Sequence, residues 1–133
     1  MEIVINYWAV FIGGVFFVIM GTLWYGPLFG KVWMQITGAP VMTKEEMAKM
    51  QKEMMPYYLV QFVFSLITSF VLYYLVKLIG MQAAFLIWIG FAMPQAAGAM
   101  WDTEKKYAIK KSLVIAGYYL FTLTVLGFAF TKW

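Results

Sequence analysis

Apolar residues occupy four long stretches of the chain, at residues 3–25, 57–76, 81–100 and 113–130. None of these stretches contains Asp, Glu, Lys or Arg in its interior. As α-helices they would each extend roughly 27–34 Å, close to the hydrocarbon thickness of about 30 Å in a bilayer. In lipid, backbone polar groups must bond within their own segment, which favours helices over isolated strands. The pattern predicts an all-α, integral membrane four-helix bundle that forms one transmembrane domain, residues 1–133.

The connection between the first two stretches has an amphipathic pattern of its own, over residues 43–55. Thr43 and Glu46 have the spacing of a capping box at the start of a helix. Apolar side chains then recur on one face of that helix: Met47, Met50 and Met54. A short helix with this pattern is predicted to lie at the cytoplasmic membrane interface.

The placement of lysine predicts the orientation of the chain. Eight of the ten basic residues lie in the first and third connections: Lys31, Lys44, Lys49, Lys52, Lys105, Lys106, Lys110 and Lys111. The second connection holds only Lys77, and the C-terminal end holds only Lys132. Because basic residues are enriched in cytoplasmic loops, the first and third connections are predicted in the cytoplasm and both termini outside. The expected location is the inner, cytoplasmic membrane, as a multi-pass protein.

Composition narrows the classes of function. Hydrophobic residues make up 64% of the chain and charged residues only 12%, about half the charged fraction of a soluble domain. The chain has no Cys, His or Arg, so it lacks a thiolate nucleophile, the usual general base and the commonest metal ligand. An enzyme is therefore the poorest fit, and no cofactor or metal is expected. The net charge of +4 is distributed between apolar segments, so nucleic acid is not an expected partner.

Polar residues in the second stretch mark part of a candidate intramembrane site. Four of them share a face at helical spacing: Gln61, Ser65, Thr68 and Ser69. Lipid would leave these groups without hydrogen-bond partners, so the face is predicted to point into the bundle or toward another copy. It serves either to bond helices together or to line a polar pathway.

The third and fourth stretches extend this candidate site with small residues and a proline. Pro94 has no N–H to donate to the carbonyl of Gly90, so a kink is predicted there, beside Gln95. Either a ligand or water uses the freed carbonyl, or the neighbouring small residues simply let helices pack closely. In the fourth stretch a close-packing seam, either internal or between copies, follows four- and three-residue spacing: Leu113, Gly117, Leu120, Thr124 and Gly127.

Two segments resemble the signature of a bacterial membrane-protein family of unknown function. Residues 6–10 read Asn-Tyr-Trp-Ala-Val, and residues 21–34 read Gly-Thr-Leu-Trp-Tyr-Gly-Pro-Leu-Phe-Gly-Lys-Val-Trp-Met. The family's usual form is N-Y-W-A-V followed by G-x-L-W-Y-S-P-x-x-F-G-K-x-W-M. This chain has Gly26 in the serine position and one residue fewer between Pro27 and Phe29. Residues 116–119 and Trp133 are also similar to the family's last span. The resemblance implies a small four-span membrane protein, without an established activity.

The tryptophan-rich segment is a second candidate site, at the membrane surface. Gly26-Pro27 is predicted to end the first span, because proline cannot continue the helical hydrogen-bond ladder. The apolar residues 27–37 that follow can form an interfacial helix or a shallow re-entrant segment. The segment is either a lipid anchor or the border of a pocket for a solute or lipid. The residues assigned to this motif are Trp24, Tyr25, Pro27, Lys31 and Trp33.

Two classes of function remain. In the first, the chain is a structural or accessory membrane module that forms a homo-oligomer or joins a larger membrane complex through its small-residue seams. In the second, it is a homo-oligomeric channel or transporter for a small solute or a lipid. Because no Asp, Glu, His, Lys or Arg lies within the apolar stretches, transport coupled to ions or protons is not expected. Membrane lipids are the expected partners in both cases.

Overall fold

The computed structural model describes residues 2–38 and 40–133, which form six helices and no strand. Their bounds are α1 Tyr7–Leu28, α2 Gly30–Thr37, α3 Lys44–Glu53, α4 Met55–Ile79, α5 82–98 and α6 Lys105–Lys132. Two of the helices contain a π-helical segment, at Trp24–Leu28 in α1 and at Trp88–Ala92 in α5. For the described residues, the predicted all-α fold class is confirmed.

Three of these helices are long and apolar enough to cross a bilayer: α1, α4 and α6. Helix α5 covers most of the third predicted stretch, but its residues 82–98 extend only about 25 Å, less than the hydrocarbon core of about 30 Å. Its length is limited by the turn at Gly80 before it and by the turn that begins at Ala99. The structure therefore supports a helical membrane protein, and the count of four spans stays a prediction.

Local capping interactions fix several helix ends. The side chain of Asn6 accepts a hydrogen bond from Ala9 N at 3.2 Å and begins α1. Thr43 Oγ1 accepts a bond from Glu46 N at 3.2 Å, and Thr43 N donates to the Glu46 carboxylate at 3.3 Å. The predicted capping box is therefore confirmed. Gly80 ends α4 with a φ of 76°, a conformation that favours glycine.

The first helix ends at Leu28, one residue beyond the end that the sequence predicts at Gly26-Pro27. Its last turn, Trp24–Leu28, is the π-helical segment, in which Phe29 N donates to Trp24 O at 2.9 Å. A π-helical turn is wider than an α-helical turn, so it accommodates Pro27, which has no N–H to donate, within the last turn of the helix. Helix α2 then follows as a separate short helix after Phe29.

Helix α6 begins at Lys105, well before the apolar stretch predicted to start at residue 113. Lysine and alanine are favourable in helices, so the boundary between polar and apolar residues does not coincide with the helix boundary. The third connection is consequently short, at residues 99–104, and the lysines assigned to it lie mostly in the first two turns of α6.

Small residues let the four longest helices, α1, α4, α5 and α6, meet at one end of the bundle. Gly13 of α1 faces Ser69 of α4 and Phe130 of α6, and a Cβ at Gly13 would lie 2.8 Å from Phe130 Cζ. Gly127 of α6 faces Ala84 of α5, where a Cβ would lie 2.9 Å from the alanine Cβ. Close approach of this kind is the usual basis of helix packing in membranes.

At the opposite end, α1 and α6 remain in contact. Trp24 Nε1 of α1 donates to Val114 O of α6 at 2.9 Å, whereas Gly13 faces Phe130. The two helices therefore run antiparallel. As a result α2, which follows α1, lies at the same end of the bundle as the lysine-rich start of α6, and the two helices are in contact.

The first part of α4 has few neighbours within the protein. Residues 55–64 are exposed except for the half-buried Phe62, whose ring centroid lies 6.3 Å from that of Phe11. In the second part of the helix, by contrast, Leu72, Tyr73 and Val76 are buried. The apolar side chains of residues 55–64 consequently face the surroundings of the protein.

Candidate functional site

Two tryptophan side chains join α1 and α5 to the same stretch of α6. Trp24 Nε1 donates to Val114 O, and Trp88 Nε1 donates to Ala116 O, each at 2.9 Å. The indole N–H is a donor only, so a buried tryptophan needs an acceptor of this kind. The two indoles hold α6 between helices α1 and α5.

Hydroxyl groups add further bonds between the long helices. Tyr118 OH of α6 donates to Phe17 O of α1 at 2.6 Å, and Ser69 Oγ of α4 donates to Val10 O of α1 at 2.7 Å. Thr122 Oγ1 donates within α6, to Tyr118 O at 2.7 Å. Among the described residues, every buried side-chain nitrogen or oxygen has a hydrogen-bond partner. The buried polar groups are therefore used to hold the bundle together.

Each of the two indoles lies at the first residue of a π-helical segment, Trp24–Leu28 in α1 and Trp88–Ala92 in α5. Such segments are rare and insert an extra residue into a helical turn, which changes the direction of the side chains that follow. A proline lies within or just after each segment, at Pro27 and Pro94. The two helices thus combine an indole bond to α6 with a local irregularity close to a proline.

Around Trp24 the aromatic rings are packed against one another. The Trp24 centroid lies 4.7 Å from that of Phe29. The ring centroid of Tyr25 lies 4.7 Å from that of Trp33 and 5.7 Å from that of Tyr118. Aromatic pairs at these separations stabilise packing beyond the area that they bury. The cluster connects α1, α2 and α6 at the end of the bundle where α1 finishes.

The predicted membrane-surface motif divides into two parts in the structure. Trp24, Tyr25 and Trp33 are half-buried in the aromatic cluster, whereas Pro27 and Lys31 are exposed. The three aromatic residues therefore contact protein, which the sequence interpretation did not anticipate. Contact of Lys31 with lipid headgroups stays a prediction.

The predicted polar face of α4 is only partly directed into the bundle. Gln61 is exposed, Ser65 is buried and Thr68 is half-buried. Ser65 Oγ donates to Gln61 O and Thr68 Oγ1 donates to Phe64 O, each at 2.9 Å. Serine and threonine commonly satisfy their hydroxyl groups in this way, within their own helix. Within this face, Ser69 is the residue that bonds to another helix.

On α5 the predicted site points away from the bundle. Gly90, Pro94 and Gln95 are all exposed. The inward face is set instead by four residues at four-residue spacing: Ala84, Trp88, Ala92 and Ala96. In the part of the chain that the structure describes, no hydrogen bond joins the polar side chains of α4 to Gln95. The structure does not bring these candidate residues together in one pathway.

The predicted seam on α6 is split between two faces. Gly117 packs against Trp24, where a Cβ would lie 3.1 Å from the indole, and Gly127 is buried against α5. The other members of the seam are exposed: Leu113, Leu120 and Thr124. Within the bundle, the predicted seam therefore consists of the two glycines alone.

Sequence reasoning missed several residues that hold the bundle together. Gly13 and Gly14 lie where α1 meets α4, and a Cβ at Gly14 would lie 2.6 Å from Leu66 Cδ2. Trp88 and Tyr118 make two of the interhelical hydrogen bonds. A glycine pair inside the first predicted stretch, and a tryptophan and a tyrosine inside the third and fourth, were the signals available.

Comparison with known proteins identifies a family without an established activity. No curated protein and no solved structure is significantly similar to the chain. A family model described as a protein of unknown function (DUF1761) matches residues 8–131. The match runs from the first turn of α1 to the last turn of α6, and therefore includes all four long helices. The chain belongs to this family of unknown function, DUF1761.

Proposed function

We propose that this chain is a small, four-span integral membrane protein that acts as a structural or accessory module, in a homo-oligomer or a larger membrane complex. The observation that carries the proposal is the use of its buried polar groups. Among the described residues all of them are paired, and the bonds between helices end on backbone carbonyls. Such a bundle is a rigid unit held together internally.

Helix α5 is proposed as the fourth span because of its position beside α6. Ala84 lies against Gly127, and Trp88 bonds to Ala116, so α5 runs antiparallel to a helix that is long enough to span. A deficit of about 5 Å against the hydrocarbon thickness is accommodated by local thinning, at fractions of a kcal/mol per Å.

The first part of α4 is proposed as the surface for assembly. Residues 55–64 are apolar and exposed apart from Phe62, and they carry the exposed amide of Gln61. An amide that faces lipid has no hydrogen-bond partner there, whereas a neighbouring helix supplies one. Pairing of Gln61 with another copy or another subunit satisfies the amide and covers the apolar side chains around it.

The test is the copy number of the intact protein, by native mass spectrometry after release from its own membrane. We expect assemblies for the wild type, and association about 5- to 30-fold weaker for Gln61→Leu, since such bonds contribute about 1–2 kcal/mol in model helices. The matched control is Gln82→Leu, the same exchange at an exposed position of α5 outside residues 55–64.

A single copy of the wild type without partners would contradict the proposal. Unchanged assembly of Gln61→Leu, together with altered permeability of vesicles to small solutes, would favour a channel or transporter instead.

A further inference from the structure

The start of α6 and the turn before it carry an excess of positive charge. We call residues 101–113 the basic segment. It contains four lysines, Lys105, Lys106, Lys110 and Lys111, and two carboxylates, Asp102 and Glu104. Three of the lysines are exposed, and Lys111 is half-buried. The bonds that hold the bundle together do not involve any of these side chains.

The lysines of the basic segment are only partly neutralised by the protein itself. Lys106 Nζ lies 3.5 Å from Glu104 Oε2, with both side chains largely exposed. This is the one salt bridge among residues 2–38 and 40–133, so the structure shows no carboxylate paired with Lys105 or Lys110 there. Lys106 and Lys110 are also one helical turn apart, a spacing at which like charges destabilise a helix. An external anion would remove that repulsion.

Large apolar side chains project from the same segment. Trp101 is 90% exposed, Ile109 70% and Leu113 65%. Lys105, Ile109 and Leu113 follow one another at four-residue spacing and therefore share one face of α6. A soluble anion would leave this apolar surface in water. A lipid interface instead accepts the apolar side chains, while the lysines extend along them to the headgroups.

The amphipathic helix α3 is also exposed, but it lacks the excess of positive charge found in the basic segment. It is exposed along its whole length, but its three lysines, Lys44, Lys49 and Lys52, are balanced by three glutamates, Glu45, Glu46 and Glu53. It therefore has no net charge to attract an anionic surface. The basic segment has both a charge excess and an exposed apolar face at the start of a long apolar helix.

We propose that the basic segment binds the anionic phospholipid headgroups of one leaflet. Clusters of lysine directly beside a membrane span attract such headgroups, with about a fivefold gain in affinity for each lysine near the surface. Trp101 and the exposed apolar side chains of α6 lie at the boundary between headgroups and acyl chains. The site rests on the membrane insertion stated in the proposed function, and under the orientation that the lysine distribution predicts, the leaflet is the cytoplasmic one.

The test compares lipid retention by the intact, purified protein offered equal amounts of phosphatidylglycerol and phosphatidylcholine in detergent. Native mass spectrometry counts the bound lipids. We expect the wild type to prefer phosphatidylglycerol. Exchange of the four lysines of the basic segment for glutamine should reduce that preference at least about tenfold, given about fivefold per lysine. The preference of the wild type should also fall as the salt concentration rises.

The matched control exchanges the three lysines of α3 for glutamine and should retain the preference of the wild type. If the fourfold variant does not fold, Lys105→Gln with Lys110→Gln removes the two exposed lysines without an ion pair and leaves Glu104 and Lys106 intact. Equal binding of both lipids by the wild type would overturn the proposal, as would equal losses in both sets of variants. The same spectra give the copy number, so failure of lipid binding is distinguished from failure of assembly.

Discussion

At the scale of single residues, the contact between α1, α4 and α6 depends on the missing side chain of Gly13. A Cβ at this position would collide with Ser69 Oγ and lie 2.8 Å from Phe130 Cζ, and Phe130 is fully buried. Overfilling a packed core costs about 1–3 kcal/mol. Gly13→Ala is therefore expected to lower the melting temperature of the protein in detergent.

The control for this prediction is Gly90→Ala on α5, where a Cβ would have no atom within 4 Å. Alanine is also the better residue in a helix, so this variant should be at least as stable as the wild type. Equal melting temperatures for both variants would show that α1 does not approach its neighbours as closely as described.

A sequence pattern shows which residues share one face of a helix more readily than it shows whether that face points into the bundle. Gln61, Ser65 and Thr68 do follow helical spacing, yet Gln61 is exposed while Ser65 is buried. The reason is that α4 has few neighbours along its first part. Likewise, the acceptor of Ser69 is Val10 O on another helix, and local spacing contains no information about a contact so distant in sequence.

At the scale of elements, the indole bonds to α6 make a specific prediction for α1 and α5. Trp24→Phe and Trp88→Phe keep an aromatic ring but remove the N–H that bonds to Val114 O or Ala116 O. Side-chain hydrogen bonds between membrane helices contribute about 0.6 kcal/mol on average and up to about 1.7 kcal/mol. Each variant should therefore show a modest loss of stability in a denaturant titration in detergent.

Trp101→Phe is the control, because the Trp101 side chain is 90% exposed. It should leave the denaturation midpoint unchanged. A loss of stability as large in Trp101→Phe as in the other two variants would indicate that the indole bonds do not hold α6.

Local rules predicted some elements well. The capping box of Thr43 and Glu46 is set by neighbouring residues, and it is present. Prolines were harder to interpret. Pro27 lacks the N–H of a helical hydrogen bond, but the sequence does not show that the last turn of the helix becomes π-helical. In α1 the π-helical segment begins at Trp24, whose indole is bonded to α6, a contact that no local pattern reveals.

At the scale of the whole molecule, composition and hydropathy predict a helical membrane protein because lipid imposes strong constraints on the backbone. They do not fix which helix packs against which. The predicted seam on α6 illustrates the limit, since Gly127 is buried while Leu120 and Thr124 are exposed. Glycine, leucine and threonine at regular spacing suit either an internal contact or one between copies.

The arrangement of the helices also brings most of the predicted cytoplasmic lysines to one end of the bundle. Lys31 and the basic segment lie at one end of the bundle, because α1 and α6 run antiparallel and meet through Trp24 and Val114. The positive-inside rule predicts that this end faces the cytoplasm. A basic segment that binds anionic lipid would hold α6 at this level of the membrane, and the aromatic cluster would connect it to α1 and α2.

Labelling of single cysteines tests whether the chain crosses the membrane four times with this end inside, because the chain has no native Cys. A membrane-impermeant maleimide applied to intact cells should label Lys132→Cys. Lys106→Cys and Lys49→Cys should react only after the membrane is permeabilised. If α5 did not cross, Lys106→Cys would be labelled in intact cells and Lys132→Cys would be protected, and that result would contradict the account.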